Sequence, residues 1–167
     1  ELLINKIRQV NPKGGIIFFG HCQLEDDVHL YDGMEINLFT PDELTSFTEY
    51  IYQYIGFTRV RSANPALPAI IRSSGMPGDV GHTFVKRYFV DPAPKGSKII
   101  IGKGNNKRIY IFSDYRDNKD GDPTYGQSLD ALNDQEKRAK LGDWSTYEGS
   151  VFNELRTRRY PNDPPNA

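Results

Sequence analysis

A histidine opens a segment in which basic and aromatic side chains alternate. If this segment is a β-strand, His82, Lys86 and Tyr88 lie on one face, because successive side chains point to opposite sides of a strand. Arg108 and Tyr110 alternate in the same way further along the chain. An imidazole can remove a proton from a ribose 2′-hydroxyl, cationic side chains can hold the phosphate, and tyrosine rings can stack on bases. The pattern therefore predicts a metal-independent ribonuclease.

The predicted site divides into catalytic and substrate-binding residues. The acid–base group is the histidine, and the predicted catalytic set is His82, Lys86, Arg108 and Tyr110. The predicted substrate-binding set is Arg59, Arg61, Arg87, Tyr88, Lys103 and Lys107. Imidazole, phenol and cationic groups suffice for this chemistry, so we expect no metal and no cofactor.

The formal net charge of −1 hides large blocks of opposite sign. Residues 22–58 contain eight Asp or Glu and no Lys or Arg. Residues 59–108 contain ten Lys or Arg and two acids, which is a local charge of +8. A field of this size favours a polyanionic partner. We therefore expect RNA or another polyanion as the ligand, and an acidic partner or inhibitor protein would fit the same field.

Composition excludes several classes of protein. With 167 residues, of which 37% are hydrophobic and 12% aromatic, the chain can form a packed core and is not plain disorder. No apolar run approaches the roughly 18 residues of a membrane-spanning helix. A single cysteine excludes an internal disulfide, so we expect a soluble protein in a reducing compartment or one secreted without disulfides. A first residue other than Met is expected of an excised domain, such as a toxin module of a bacterial secretion system.

Two alternatives to a ribonuclease remain open. Cys22, His82 and Asp91 follow one another in the order nucleophile, strand-borne histidine, acid. This order, and nothing beyond it, resembles that of papain-like and transglutaminase-like proteins, and it implies a Cys/His-dependent hydrolase or acyl transferase. The second alternative is a non-enzymatic protein-interaction domain whose charge blocks match those of a partner.

Acidic side chains in two segments have the chemistry of metal ligands. The first set is Glu25, Asp26, Asp27, His29 and Asp32, and the second lies in the Asp/Gly-rich segment 114–122. The second set does not match an EF-hand calcium loop, because placing Gly121 at the sixth position puts Arg116 at the first and Gln127 at the twelfth. Both segments are therefore expected to be solvated loops.

Local patterns predict the elements that must position these residues. Helices are expected at 2–10, from an N-cap at Thr40 through Ile55, at 127–141 and at 144–159. Strands are expected at 16–19 (buried), 57–61, 69–72 and 82–90, with a hairpin formed by 97–101 and 107–112. In that hairpin the face carrying Ile109 and Ile111 is expected to be core.

These elements together predict the fold class. Helices and strands are segregated along the chain, which favours an α+β fold with a mostly antiparallel sheet and flanking N-terminal and C-terminal helices. We expect one globular domain over residues 1–160 and a disordered tail over 161–167.

Overall fold

The computed structural model describes residues 7–10, 14–94, 96, 99–102, 104, 106–122 and 124–145. Lys103, the tail at 161–167 and all but the first two residues of the helix expected at 144–159 lie outside them. The chain divides into two compact units, of which the first takes in Glu1–Asp42 with Phe47–Ser73 and the second Glu43–Ser46 with Ser74–Ala167. The single domain over 1–160 stays a prediction.

The described strands form three sheets of two strands each. β1 and β2 are antiparallel, β3 and β4 are parallel, and β5 and β6 are antiparallel. Their bounds are Ile7–Val10 (β1), Ile16–Phe19 (β2), Leu38–Phe39 (β3), Ile70–Ile71 (β4), Ile99–Ile101 (β5) and Lys107–Ile109 (β6). The fold is a mixture of helices and small sheets, as an α+β protein has. The expected mostly antiparallel sheet is not confirmed.

The described helices are short. The α-helices are Glu49–Thr58 (α1), His82–Val85 (α2), Tyr125–Ser128 (α3) and Asp134–Lys140 (α4). A π-helix at Lys86–Val90 continues α2, and 3-10 helices lie at Glu25–Tyr31, Leu44–Ser46, Tyr115–Asp117 and Leu129–Ala131. None of the helices in the described ranges has the length and apolar character needed to cross a membrane.

The core of the first unit lies between α1 and the 3-10 helix Glu25–Tyr31. Val28, Ile51 and Ile55 are at most 2% exposed and pack together. Ile51 and Ile55 are four residues apart and so lie on one face of α1. Partly buried side chains surround this cluster: Cys22, Tyr31, Ile36, Phe39, Phe47 and Tyr54. The two helices are thereby held in a fixed mutual position.

The helix predicted at 2–10 is wrong for the residues that are described. Ile7–Val10 is a strand that pairs with β2, in a register that sets Ile7 opposite Phe19. The chain reverses through a segment that includes Gly14, whose φ of +87° suits glycine. β2 is confirmed as a strand, but its four residues are exposed rather than buried.

The long central helix begins later than its sequence pattern indicates. The backbone of Glu43 is left-handed, with φ of 50°, which interrupts any helix running from Thr40. Thr48 is the N-cap instead, and its hydroxyl accepts the N–H of Ile51 at 3.4 Å. Gly56 lies inside α1 rather than after it, so the strand predicted at 57–61 is reduced to one bridge between Ile36 and Val60.

The strand predicted at 82–90 is wrong, because this segment is helical. Asp79 lies in the turn that precedes α2, where its carboxylate accepts the N–H of Val80 at 2.7 Å and its carbonyl accepts that of His82 at 2.9 Å. Because the segment is helical, His82, Lys86 and Tyr88 do not lie on one face of a sheet. Any site built on that alternation must be rebuilt from the helix.

The hairpin predicted from 97–101 and 107–112 is confirmed in β5 and β6, but its faces are reversed. Ile109 and Ile111 are 49% and 68% exposed, so the isoleucine face is not core. Arg108 and Tyr110 point the other way and are half-buried, as is Ile100 opposite Arg108. The covered face of this hairpin is the one that carries the predicted site residues.

Replacing Ile55 by alanine should lower the free energy of unfolding by about 2–5 kcal/mol, because it opens a cavity beside Val28 and Ile51. Ile17→Ala is the matched control in the same unit, since Ile17 is 53% exposed. It should change the free energy by less than about 0.5 kcal/mol. Urea unfolding followed by circular dichroism measures both, and equal effects would contradict this core.

Candidate functional site

Two arginines surround one tyrosine in the second unit. The guanidinium carbon of Arg108 lies 4.5 Å from the ring centroid of Tyr88, and that of Arg87 lies 5.2 Å from it. Arg87 and Tyr88 belong to the π-helix Lys86–Val90, whereas Arg108 comes from β6. Both distances are within the range of cation–π attraction. We call Arg87, Tyr88 and Arg108 the arginine–tyrosine cluster.

The guanidinium of Arg108 lies near aromatic rings and close to the backbone of Gly102, and no described carboxylate pairs with it. Its guanidinium carbon also lies 6.0 Å from the ring centroid of Phe89. A Cβ atom at Gly102 would come within 2.6 Å of the Arg108 side chain, so the glycine makes room for it. Among the described residues, no Asp or Glu forms an ion pair with Arg108. Its positive charge is therefore not neutralised there.

His82 belongs to an aromatic cluster of the same unit. It is 5% exposed and stacks on Trp144, with ring centroids 5.3 Å apart. The indole Nε1 of Trp144 donates to the Tyr110 hydroxyl at 3.3 Å. The structure thus brings His82 and Tyr110 to the same tryptophan, a residue that the sequence analysis had not assigned to the site. This imidazole is covered rather than open to a substrate.

The other predicted site residues are distributed over both units. Lys86 is 3.7 Å from Asp91, and its side chain is 15% exposed. Arg61 and Lys107 are exposed. Arg59, in the first unit, donates to Asp32 at 2.5 Å. The predicted catalytic and substrate-binding residues therefore do not share one face of a sheet.

Asp32 holds three side chains in the first unit. Its Oδ1 accepts the Tyr54 hydroxyl at 2.7 Å and Arg59 Nη2 at 2.5 Å, and its Oδ2 lies 3.2 Å from His29 Nδ1. The Tyr54 hydroxyl is also 3.4 Å from His29 Nδ1. The histidine side chain is 58% exposed, whereas that of Arg59 is 18% exposed. We call these four residues the His29 centre.

Hydrogen bonding fixes the protonation of the carboxylate in this centre. The bond from Tyr54, followed by that from His29, lowers the pKa of Asp32 below its ordinary value. The same bond to Asp32 raises the pKa of Tyr54, which keeps the phenol protonated. The sequence analysis had considered His29 and Asp32 only as metal ligands. Their spacing of three residues on a helical segment was the available signal for a histidine–carboxylate pair.

Cys22 lacks the environment of a catalytic thiol. Burial, and then the charge of Asp27, raise its pKa to about 11. Its thiol donates to the carbonyl of Leu24 at 3.6 Å. Cys22 belongs to the first unit, whereas the expected partners His82 and Asp91 belong to the second. The thiol therefore stays protonated near neutral pH, which a nucleophilic cysteine does not.

The acidic segments serve mainly as backbone caps. Asp27 accepts the N–H groups of Gln23 and Leu24, and Asp114 accepts that of Arg116 while pairing with its guanidinium. Asp122 accepts the N–H and hydroxyl of Thr124. Within the described ranges, no three His, Cys, Asp or Glu side chains are grouped so that they could hold a metal ion.

No protein-family model, curated protein or solved structure matches the chain.

Alkylation of Cys22 by iodoacetamide should be slow at pH 8 and should accelerate up to about pH 11, because only the thiolate reacts. In denaturant the thiol should titrate near its ordinary value of 9.0. The folded protein should therefore react about 10- to 100-fold more slowly than the unfolded one at pH 8. A rate that levels off near pH 7 would contradict this and would restore the thiol-enzyme alternative.

Proposed function

We propose that the protein binds single-stranded RNA through the arginine–tyrosine cluster. The observation that carries the proposal is the guanidinium of Arg108, held over Tyr88 with no carboxylate beside it among the described residues. A guanidinium oriented by an aromatic ring keeps its charge and its hydrogen-bond donors for an anion. Phosphate is the anion whose geometry best matches the donors of arginine.

Charge and aromatic surface act together in this proposal. Arg87 and Arg108 each place a guanidinium within cation–π distance of the same tyrosine ring. Lys107, which precedes Arg108, adds an exposed positive charge. Unpaired bases can stack on a guanidinium plane or an aromatic ring, and such contacts do not require a particular base. We therefore expect RNA binding that depends on salt and tolerates many sequences.

Metal-independent cleavage of the bound RNA belongs to the same proposal, but His82 is not its best-supported base. At 5% exposure beneath Trp144, this imidazole lacks the access that a ribose hydroxyl would need. His82 and Tyr110 are better suited to holding Trp144 in place. An exposed histidine is better placed to act as the acid–base group.

Arg108→Gln should weaken RNA binding about tenfold, because a phosphate contact is lost. The slope of log Kd against log salt should fall by about one unit. Gly102→Ala keeps every charge but displaces the Arg108 side chain, so it should weaken binding to a smaller extent. Fluorescence anisotropy of a labelled single-stranded 2′-O-methyl oligoribonucleotide, which cannot be cleaved through its 2′-oxygen, gives both quantities when measured at several salt concentrations.

Arg116→Gln is the matched control for this experiment. It removes the same charge from the same unit, but Arg116 is already paired with Asp114. It should leave the Kd within about twofold of the unsubstituted protein. Equal weakening by Arg108→Gln and Arg116→Gln would mean that net charge, not the cluster, binds RNA. Absence of binding at low salt, or binding of heparin but not RNA, would overturn the proposal.

A further inference from the structure

The hairpin of β5 and β6 leaves the apolar side chains of one face uncovered. Ile99 and Ile109 are opposite each other in the register and are 62% and 49% exposed. Ile101 ends β5 and Ile111 lies just beyond β6, and they are 67% and 68% exposed. Because side chains alternate along a strand, the four isoleucines share one side of the hairpin. We call them the isoleucine face. Exposed apolar patches of this kind mark interaction sites.

Positive charge accompanies the isoleucine face. Residues 92–113, which include the whole hairpin, contain five Lys or Arg and no Asp or Glu. Lys107 is exposed and lies opposite Ile101 in the register, which places it on the isoleucine face. The nearest acids in the sequence, Asp91 and Asp114, each pair with a cation outside the hairpin. These two acids therefore do not neutralise the charge of the hairpin.

The opposite face of the hairpin is covered by other residues of the second unit. Ile100 and Arg108 are paired on it and are half-buried, and the Arg108 guanidinium lies over Tyr88. The hydroxyl of Tyr110, on the same side, accepts the indole N–H of Trp144 at 3.3 Å. These contacts support the hairpin from one side and leave the isoleucines on the other side exposed. The RNA binding proposed above uses the covered side, so the isoleucine face is not part of it.

An anionic lipid surface matches the chemistry of this face. The boundary of a bilayer offers acyl chains to apolar side chains and, directly above them, negatively charged headgroups to lysines. Isoleucine side chains have no polar atoms for hydrogen bonds, so the burial of apolar area must supply the contact. Lys107 can hold its ammonium at the level of the headgroups while its methylene chain stays beside the isoleucines. Charge and apolar area on this face are therefore arranged as a bilayer surface requires.

We propose that the isoleucine face binds the surface of membranes that contain anionic lipids. The four isoleucines enter the boundary between headgroups and acyl chains, and Lys107 contacts the headgroup phosphates. The hairpin lies on the bilayer rather than across it, as peripheral proteins do. Binding strengthens with the fraction of anionic lipid and weakens with salt, because cations near such a surface are attracted by a field that dissolved ions screen.

Co-sedimentation of the full chain with vesicles tests the proposal. Vesicles of equal parts phosphatidylglycerol and phosphatidylcholine should bind the protein, and vesicles of phosphatidylcholine alone should bind it roughly 10- to 100-fold more weakly. Ile111→Ser should lower the partition coefficient about tenfold, because an exposed apolar side chain no longer enters the bilayer. Lys107→Gln should lower it about fivefold, which is the effect of one cation near an anionic surface.

Ile17→Ser is the matched control, because Ile17 is an exposed isoleucine of β2 in the first unit. It should leave the partition coefficient unchanged, and circular dichroism should show that all variants are folded. Ile111→Ser should also leave RNA binding unchanged, since Arg108 lies on the other side of the hairpin.

Three outcomes would overturn the proposal. The first is that the protein does not bind the anionic vesicles. The second is that Ile111→Ser and Ile17→Ser weaken binding equally, or that only Lys107→Gln weakens it, which would reduce the interaction to charge. The third is a concentration-dependent dimer that Ile111→Ser disrupts, without vesicle binding, which would assign the face to a second copy of the chain.

A second measurement identifies the surface that enters the bilayer. With Cys22→Ser, the further changes Ile99→Cys and Ile17→Cys each leave one thiol for an environment-sensitive fluorophore such as nitrobenzoxadiazole. When anionic vesicles are added, emission from the label at position 99 should shift to shorter wavelength, because the label leaves water. The label at position 17 should keep its emission. A label at position 99 that stays in water while the protein sediments with vesicles would assign lipid binding to another surface and overturn the proposal.

Discussion

The packing of Val28 against Ile51 and Ile55 is the interaction on which the first unit depends. The described sheets have two strands each, and a lone two-stranded sheet is marginally stable in water. The contact between α1 and the 3-10 helix Glu25–Tyr31 therefore buries apolar side chains that the small sheets leave exposed. His29 and Tyr54 belong to these two helices. Asp32 and Arg59 are their C-cap residues. The same packing that stabilises the unit thus also gives the centre its geometry.

Two arginines of the protein illustrate how environment decides the use of a charge. Arg59 and Arg108 each lie over a tyrosine ring, at 5.2 Å from Tyr54 and 4.5 Å from Tyr88. Arg59 also meets Asp32, so its charge is neutralised and serves to hold a carboxylate. Arg108 meets no carboxylate among the described residues, so its charge remains available to an anion. The same residue type therefore holds a carboxylate in one unit and meets no described carboxylate in the other.

Part of the fold was predictable because short-range patterns specified it. β2, a short strand within 69–72 and the hairpin of β5 and β6 lie where apolar runs and turn residues indicate them. The segment beginning at His82 was mispredicted because a run of apolar, aromatic and basic residues fits a helix as well as a strand. In the structure a turn at Asp79 leads into this helix. The predicted catalytic face required a strand at 82–90, so it does not form in the helical segment.

The sequence by itself determined the residue types available for chemistry and the segregation of charge along the chain. It indicated Arg87 and Tyr88 as binding residues and Arg108 as a catalytic residue, because basic and aromatic character is visible in the sequence alone. Only the tertiary structure decided that Arg108 meets Tyr88, that Trp144 covers His82 and that Asp32 reaches Tyr54 and Arg59. The physical reason is that such contacts join residues twenty or more positions apart. Their distances follow from the packing of helices and not from local backbone preference.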